Sequence, residues 1–321
     1  KTEVQAARIM KYGLSLHNRL VGYLPRYAPW VSRVPWLMNL RNQLPGLAKI
    51  TERITGFAAS RELPVWSSKP FRDAEFADAN PDVVIFADVF NRYFEPENLR
   101  AAGRLLRAAG LKVKTATSIN GRHPLDCGRT FLSIGMIEEA RIEAERLVAA
   151  LLPHAENGIP VIGLEPSSIL TLRDEIPALI TDGRADVVSA NSFMLEEYLV
   201  KHEIALPLRA LGQKILLHGH CHQKAHQVMP AVLSALGLIP DTDVEVVETS
   251  CCGMAGAFGY GHETVDISLK MADASLLPAV RAAAQDTLIV ADGTSCRHQI
   301  ADGTGRRAIH VARVLEMALA E

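Results

Sequence analysis

The residues able to do chemistry gather in the second half of the chain. Cys221, Cys251, Cys252 and Cys296 fall there, and only Cys127 lies earlier. Each is expected to follow a strand or precede a helix, where backbone N–H groups and the helix dipole stabilise thiolate. Four thiolates converging from three loops satisfy either a zinc ion or a [4Fe–4S] cluster. Buried cysteine is commonly inert, but four at strand ends, two of them adjacent before a glycine, point to a metal centre. The loop from Thr249 to Gly261 carries Gly253, Gly256, Gly259 and Gly261, which let its backbone come close to a bound group. Histidines crowd the same place: His218, His220, His222 and His226 surround Cys221, and His298 follows Cys296 by two residues. Imidazoles there ligate metal, move protons or donate to cluster sulfur, and His222 and His298 are the candidates for proton coupling. The bland alternative is that one or two of them cap the loop. A helix starting near His222 puts His222 and His226 on one face, yet without the glutamate of a zinc protease motif.

Alternating strands and helices after Asp73 must position these loops. Apolar runs predict strands at Val83–Ala87 and Pro160–Leu164, then Lys214–Leu217, Val244–Val247 and Thr287–Val290. Helices are expected at Glu97–Ala109, Ile137–Leu152, Ala225–Leu236 and Thr264–Ala283. The loops repeat in order. Phe86–Phe90 answers His218–His222, Asp126-Cys127-Gly128 answers Cys251-Cys252-Gly253, and Glu165–Ser168 answers Gly293–Cys296. The expected fold is α/β, two similar halves with mostly parallel sheets, preceded by a helical basic arm. The expected boundaries are 1–72 for the arm, 73–212 for the first half and 213–321 for the second. In such sheets the loops past the strand C-termini form the site.

Composition excludes several classes. The 321 residues, 48% hydrophobic and 22% charged with a net charge of −2, describe a globular protein with no global pull towards nucleic acid. No run is long enough for a membrane span, and no signal peptide opens the chain. An odd cysteine count with two adjacent argues for a reducing compartment. The arm is different: from Lys1 to Arg72, twelve Lys and Arg stand against three Glu, a net of +9. All three tryptophans (Trp30, Trp36, Trp66) lie in it. Such a segment either docks a partner or an anionic membrane, or packs on its own chain. There is no P-loop, no haem-attachment motif, and the order of Gly256, Gly259 and Gly261 is wrong for a dinucleotide fingerprint. Ser168 lacks a nucleophile-elbow context and is expected to be a helix cap.

The paired Cys-Cys-Gly loops in a duplicated α/β unit resemble the cysteine-rich domains of the glycolate oxidase iron–sulfur subunit. They are also similar to the Cys-Cys-Gly modules of heterodisulfide reductase and of lactate-utilisation proteins. A closer resemblance is to the C-terminal region of fused FAD-linked oxidases related to D-lactate and D-2-hydroxyglutarate dehydrogenases. His218–Ala225, Ser250–Gly256 and Gly293–Ile300 look like that family's phrases. The resemblance implies one part of an FAD-dependent oxidoreductase, incomplete alone, that passes electrons from flavin and ferredoxin-type clusters to a quinone or other acceptor. The chain begins with Lys1 rather than Met, as expected if upstream FAD and ferredoxin modules are absent. The resemblance further implies a cytoplasmic setting, peripheral to the inner face of the membrane. Departures matter as well. Asp126, Ser168 and Val89 stand where the first half would offer cysteines, and Gln299 replaces the last cysteine of a Cys-x-x-Cys. One cluster on Cys221, Cys251, Cys252 and Cys296 is what this implies, with Cys127 approaching across the interface or left spare. The alternatives are a cluster-free module closing over the flavin domain and a zinc protein using three of the cysteines and a histidine.

Overall fold

A computed structural model describes residues 2–119, 121, 123–249 and 251–320. The first sheet contains β1 (Val83–Ile85), β2 (Val113–Thr115), β3 (Val161–Gly163) and β4 (Ser192–Met194), in the order β2-β1-β3-β4. The second contains β5 (Ile215–Leu217), β6 (Val244–Val246), β7 (Leu288–Val290) and β8 (Ala308–Ile309), in the order β6-β5-β7-β8. Every pairing is parallel, for example Val84 with Val161 and Leu216 with Ile289. The duplication legible in the loops is therefore a duplication of topology. β1 and β5 are central, apolar throughout and buried at every residue, as strands covered by helices on both faces must be. Each sheet reverses strand order between its two central strands, so a crevice opens past the C-termini of β1 and β3, and again past β5 and β7. The principal core runs across both sheets, uniting Ile85, Ile162, Leu217, Val290 and Val311.

Several elements differ from expectation. The segment Ala225–Leu236 is two helices, Cys221–Ala225 and Met229–Leu236, parted at Gln227, which has a φ of 56°. Thr264–Ala283 is likewise two, Val265–Asp273 and Leu276–Ala282. The helix from Ile137 runs on to Glu156 with Pro153 inside its last turn. Ser168 caps nothing: Glu165 is the N-cap of helix Pro166–Ile169, its carboxylate accepting from Ser167 N.

The arm is five short helices, α1 (Thr2–Tyr12), α2 (Leu16–Gly22), α3 (Leu24–Val31), α4 (Pro35–Gln43) and α5 (Leu47–Thr55), broken by prolines and glycines. One side packs on the chain itself. Ala28 and Trp66 are buried with Val89 and Tyr93, and Thr130 Oγ1 donates to Gly22 O at 2.9 Å. Arg41 is almost wholly buried and ties the arm's end together, donating to Ala58 O at 2.7 Å and Arg61 O at 2.9 Å. Beyond α5 the chain pairs with the cysteine loop: Ala58 N donates to Tyr260 O and His262 N to Gly56 O. Trp30 and Trp36 remain exposed on the other side.

Candidate metal centre

Loops leaving the C-terminal ends of β5, β6 and β7 bring four cysteines together. After β5, His220 is the N-cap of helix Cys221–Ala225, its Nδ1 accepting from His222 N at 3.2 Å. Gln223 completes the cap, its Oε1 accepting from His220 N at 2.9 Å. This reciprocal capping fixes Cys221 in the first helical turn, on the exposed edge of the group. After β6 come Cys251 and Cys252; Ser250, which opens that phrase, lies outside the described residues. Gly253 takes a φ of 86°, and a Cβ there would stand 2.3 Å from Ser268 O, so only glycine makes this turn. The turn aims Gly253 N–H at Cys251 Sγ, 3.3 Å away. Gly256 is also left-handed, whereas Gly259 is needed for close approach to Met254. After β7, Cys296 lies in the first turn of helix Thr294–Thr304, buried like Cys252.

The four thiols act on one another in the order Cys221, Cys251, Cys252, Cys296. Its neighbours Cys221 and Cys252 hold Cys251 far below the thiol range, at about 2. Cys252 likewise pulls Cys296 well down against its burial, with His218 and His220 adding positive potential. Cys221 and Cys252 are pushed up by the same neighbours and by burial. Thiols favoured as thiolates thus alternate with thiols favoured as protonated. His218 is buried beside them, one ring nitrogen within 4.8 Å of the ligand atoms of Cys252 and Cys296, and neither nitrogen has a hydrogen-bond partner. Leaving a buried donor or acceptor unsatisfied costs about 1–3 kcal/mol. A soft, positively charged group among these sulfurs would relieve both the thiolate charge and the orphaned imidazole, so the residues fit a zinc ion or an iron–sulfur cluster.

His220, Cys221 and His222 form a second group at the rim. His222 Nε2 lies 2.9 Å from Arg129 Nη2, and burial followed by the Arg129 charge pushes this imidazole down to about 3. His226 ends the short helix and joins neither group, so the expected His222–His226 pair is replaced by His220–Cys221–His222. Cys127 stands apart beside Ser168, and burial, then Asp126, pushes its thiol up. Cys127 and Ser168 repeat in the first half the contact of Cys252 with Cys296, while Asp126 stands in the place of Cys251. Burial raises Asp126 to about 7.

Three further side chains around the cysteines were not singled out in the sequence. Tyr260 OH lies 2.5 Å from His298 Nδ1, and an aromatic amid loop glycines was the one available hint. Glu95, from the first half, bonds Arg297 through both oxygens and accepts from Thr294 Oγ1 at 3.1 Å. Arg61, from the arm, reaches Asp302 and Met254 Sδ, each at 3.1 Å. The helix carrying Cys296 is thus held by the first half, and the Cys-Cys-Gly loop by the arm.

No protein-family model matches the chain. It is 28% identical over 315 residues to a subunit of the anaerobic glycerol-3-phosphate dehydrogenase of Escherichia coli, covering 95% of this chain and 76% of that protein. It is 24% identical over 319 residues to D-2-hydroxyglutarate dehydrogenase of Escherichia coli, and 26% over 335 residues to that of Pseudomonas putida. These alignments cover 92% and 95% of this chain but only 30% of each enzyme, so the chain spans under a third of the D-2-hydroxyglutarate dehydrogenases it resembles. All are oxidoreductases or their subunits.

Proposed function

We propose, from the premise that this chain belongs with the Cys-Cys-Gly modules of such dehydrogenases, that it is the iron–sulfur electron-transfer module of an FAD-linked 2-hydroxy acid dehydrogenase. Cys221, Cys251, Cys252 and Cys296 would hold one [4Fe–4S] cluster, which when bound supplies a one-electron carrier. The observation that carries this reading is the convergence of four free cysteines from three strand-end loops beside His218, whose ring nitrogens are buried without a hydrogen-bond partner. The chain's own groups do the tuning. Gly253 N–H donates to Cys251 Sγ and stabilises added negative charge there. Gly256 and Gly259 keep the same loop backbone close. His298, hydrogen-bonded to Tyr260 and pushed down by burial, and His222, neutral beside Arg129, are the groups placed to exchange a proton with the site.

Electrons would arrive from FAD and ferredoxin-type modules upstream and leave to a quinone or another acceptor. One relative is named as a subunit, which supports partner subunits. Among the described residues no helix is long and apolar enough to cross a membrane. α3–α5 nevertheless expose Trp30, Trp36, Leu37, Ile50 and Ile54 beside Arg33, Lys49 and Arg53. Aromatic and aliphatic groups among cations suit the interface of an anionic bilayer, so the proposed setting is the cytoplasmic face, peripherally bound. The test is Cys252→Ser in the full electron-transfer assembly: iron content and acceptor reduction are expected to collapse. Unchanged iron and unchanged electron transfer would defeat the reading.

A further inference from the structure

We infer that Glu196, Asp292 and His310 form a second, cysteine-free site for a divalent metal ion of the zinc class, which staples the two halves of the chain. The three side chains come from separate places: Glu196 from helix Leu195–Lys201 after β4, Asp292 from the end of β7, His310 from the end of β8. All are completely buried, and their ligand atoms lie within 4.8 Å of one another.

Hydrogen bonding marks the gap between them as a place for a cation. Both carboxylate oxygens of Glu196 are buried without any hydrogen-bond partner. Asp292 is oriented from outside, Oδ2 accepting from Gln223 Nε2 at 2.7 Å and Oδ1 from Val311 N at 3.0 Å. His310 Nε2 lies 3.1 Å from Leu164 O, a bond in which the ring must donate. Nδ1 is then the lone-pair nitrogen; as the N-cap of helix Val311–Met317 it accepts from Ala312 N at 3.0 Å, and it lies 3.4 Å from Asp292 Oδ1. An ion between them would take the place of the Ala312 N–H at Nδ1, and about 3.4 Å is the edge of a tetrahedron around an ion with bonds of about 2.0–2.1 Å. An imidazole that gives its other N–H to a carbonyl, and a carboxylate held by an amide, are the outer contacts that metal ligands make.

Charge balance favours a dication. Two carboxylates and a neutral imidazole are matched by M²⁺, whereas one shared proton leaves a buried negative charge. One nitrogen and two carboxylates are a zinc or manganese set rather than an iron–sulfur set. The ion would join a first-half helix to the ends of β7 and β8.

The experiment is metal and acid-labile sulfide analysis of the anaerobically purified chain after equilibration with zinc and removal of loose metal. About one zinc per chain is expected beside iron and sulfide. Glu196→Gln and Asp292→Asn should each lower zinc at least tenfold with iron and sulfide unchanged, which also shows that the variants fold. Cys252→Ser should do the reverse. Wild-type protein with sulfide but no zinc would overturn this site and leave the pair sharing a proton, without touching the cluster. Zinc lost in Cys252→Ser but kept in Glu196→Gln would overturn it too, placing the ion on the thiolates. Should the carboxylate variants fail to fold, cobalt replaces zinc in the wild type. Weak visible bands without a thiolate charge-transfer band support the site, and a strong one refutes it.

Discussion

Glu95→Gln tests whether the first half holds the cysteine-bearing helix in place. Burial alone would raise the Glu95 carboxyl, but the charge and hydrogen bonds of Arg297 outweigh it and hold the group at about 2, down from 4.5. At about 1.36 kcal/mol per decade, that fall contributes about 3 kcal/mol of stability at neutral pH. The variant keeps an oxygen for Thr294 and loses the counter-charge of Arg297, whose side chain is 3% exposed. Urea unfolding of the metal-free chain at pH 7 should therefore give a stability lower by about 3 kcal/mol. Because the folded value is depressed, the contribution is complete above about 4.5 and disappears as the pH falls through about 2. The two proteins should converge on acidification, to a gap of about 1.4 kcal/mol at pH 3. A gap under about 1 kcal/mol at pH 7, or one that does not shrink by pH 3, refutes the reasoning.

Other expectations are as specific. Gly253→Ala forces a Cβ to 2.3 Å from Ser268 O at a left-handed residue, so it should lose most of its iron, measured per chain, and unfold at lower urea. Cys127→Ser keeps the polar contact with Ser168, and iron content should stay at the wild-type level; a drop by a quarter or more would make Cys127 a ligand. Sedimentation with anionic vesicles should weaken about fivefold in Arg53→Gln, from about 1 kcal/mol per cation near the surface, and should vanish in Trp36→Ser/Ile54→Ser. Binding to neutral and anionic vesicles alike, unaffected by these changes, would remove the membrane role of α3–α5.

The halves could be read from sequence because each loop repeats at the same place after a strand. Central strands β1, β3, β5 and β7 were visible as apolar runs for the same reason that they are buried. β2, β4 and β8 carry no such run: they lie at sheet edges and span three, three and two residues, Val113–Thr115 being interrupted by Lys114. The two divided helices were invisible because their apolar periodicity continues through the breaks at Gln227 and Ser275. Which cysteines lie near one another follows from the switch between β5 and β7, a property of strand order rather than of local sequence. Glu95 and Glu196 had no signal, since their partners Arg297 and Asp292 lie about 200 and 100 positions away and only tertiary packing joins them, while His310 meets Asp292 only through the pairing of β7 with β8.

The most direct measurement is iron, acid-labile sulfide and zinc per chain on anaerobically purified wild-type protein, with EPR of the dithionite-reduced sample. The account predicts about four iron and four sulfide with a signal from a reduced cluster. Zinc without sulfide, or no iron after reconstitution, would contradict it.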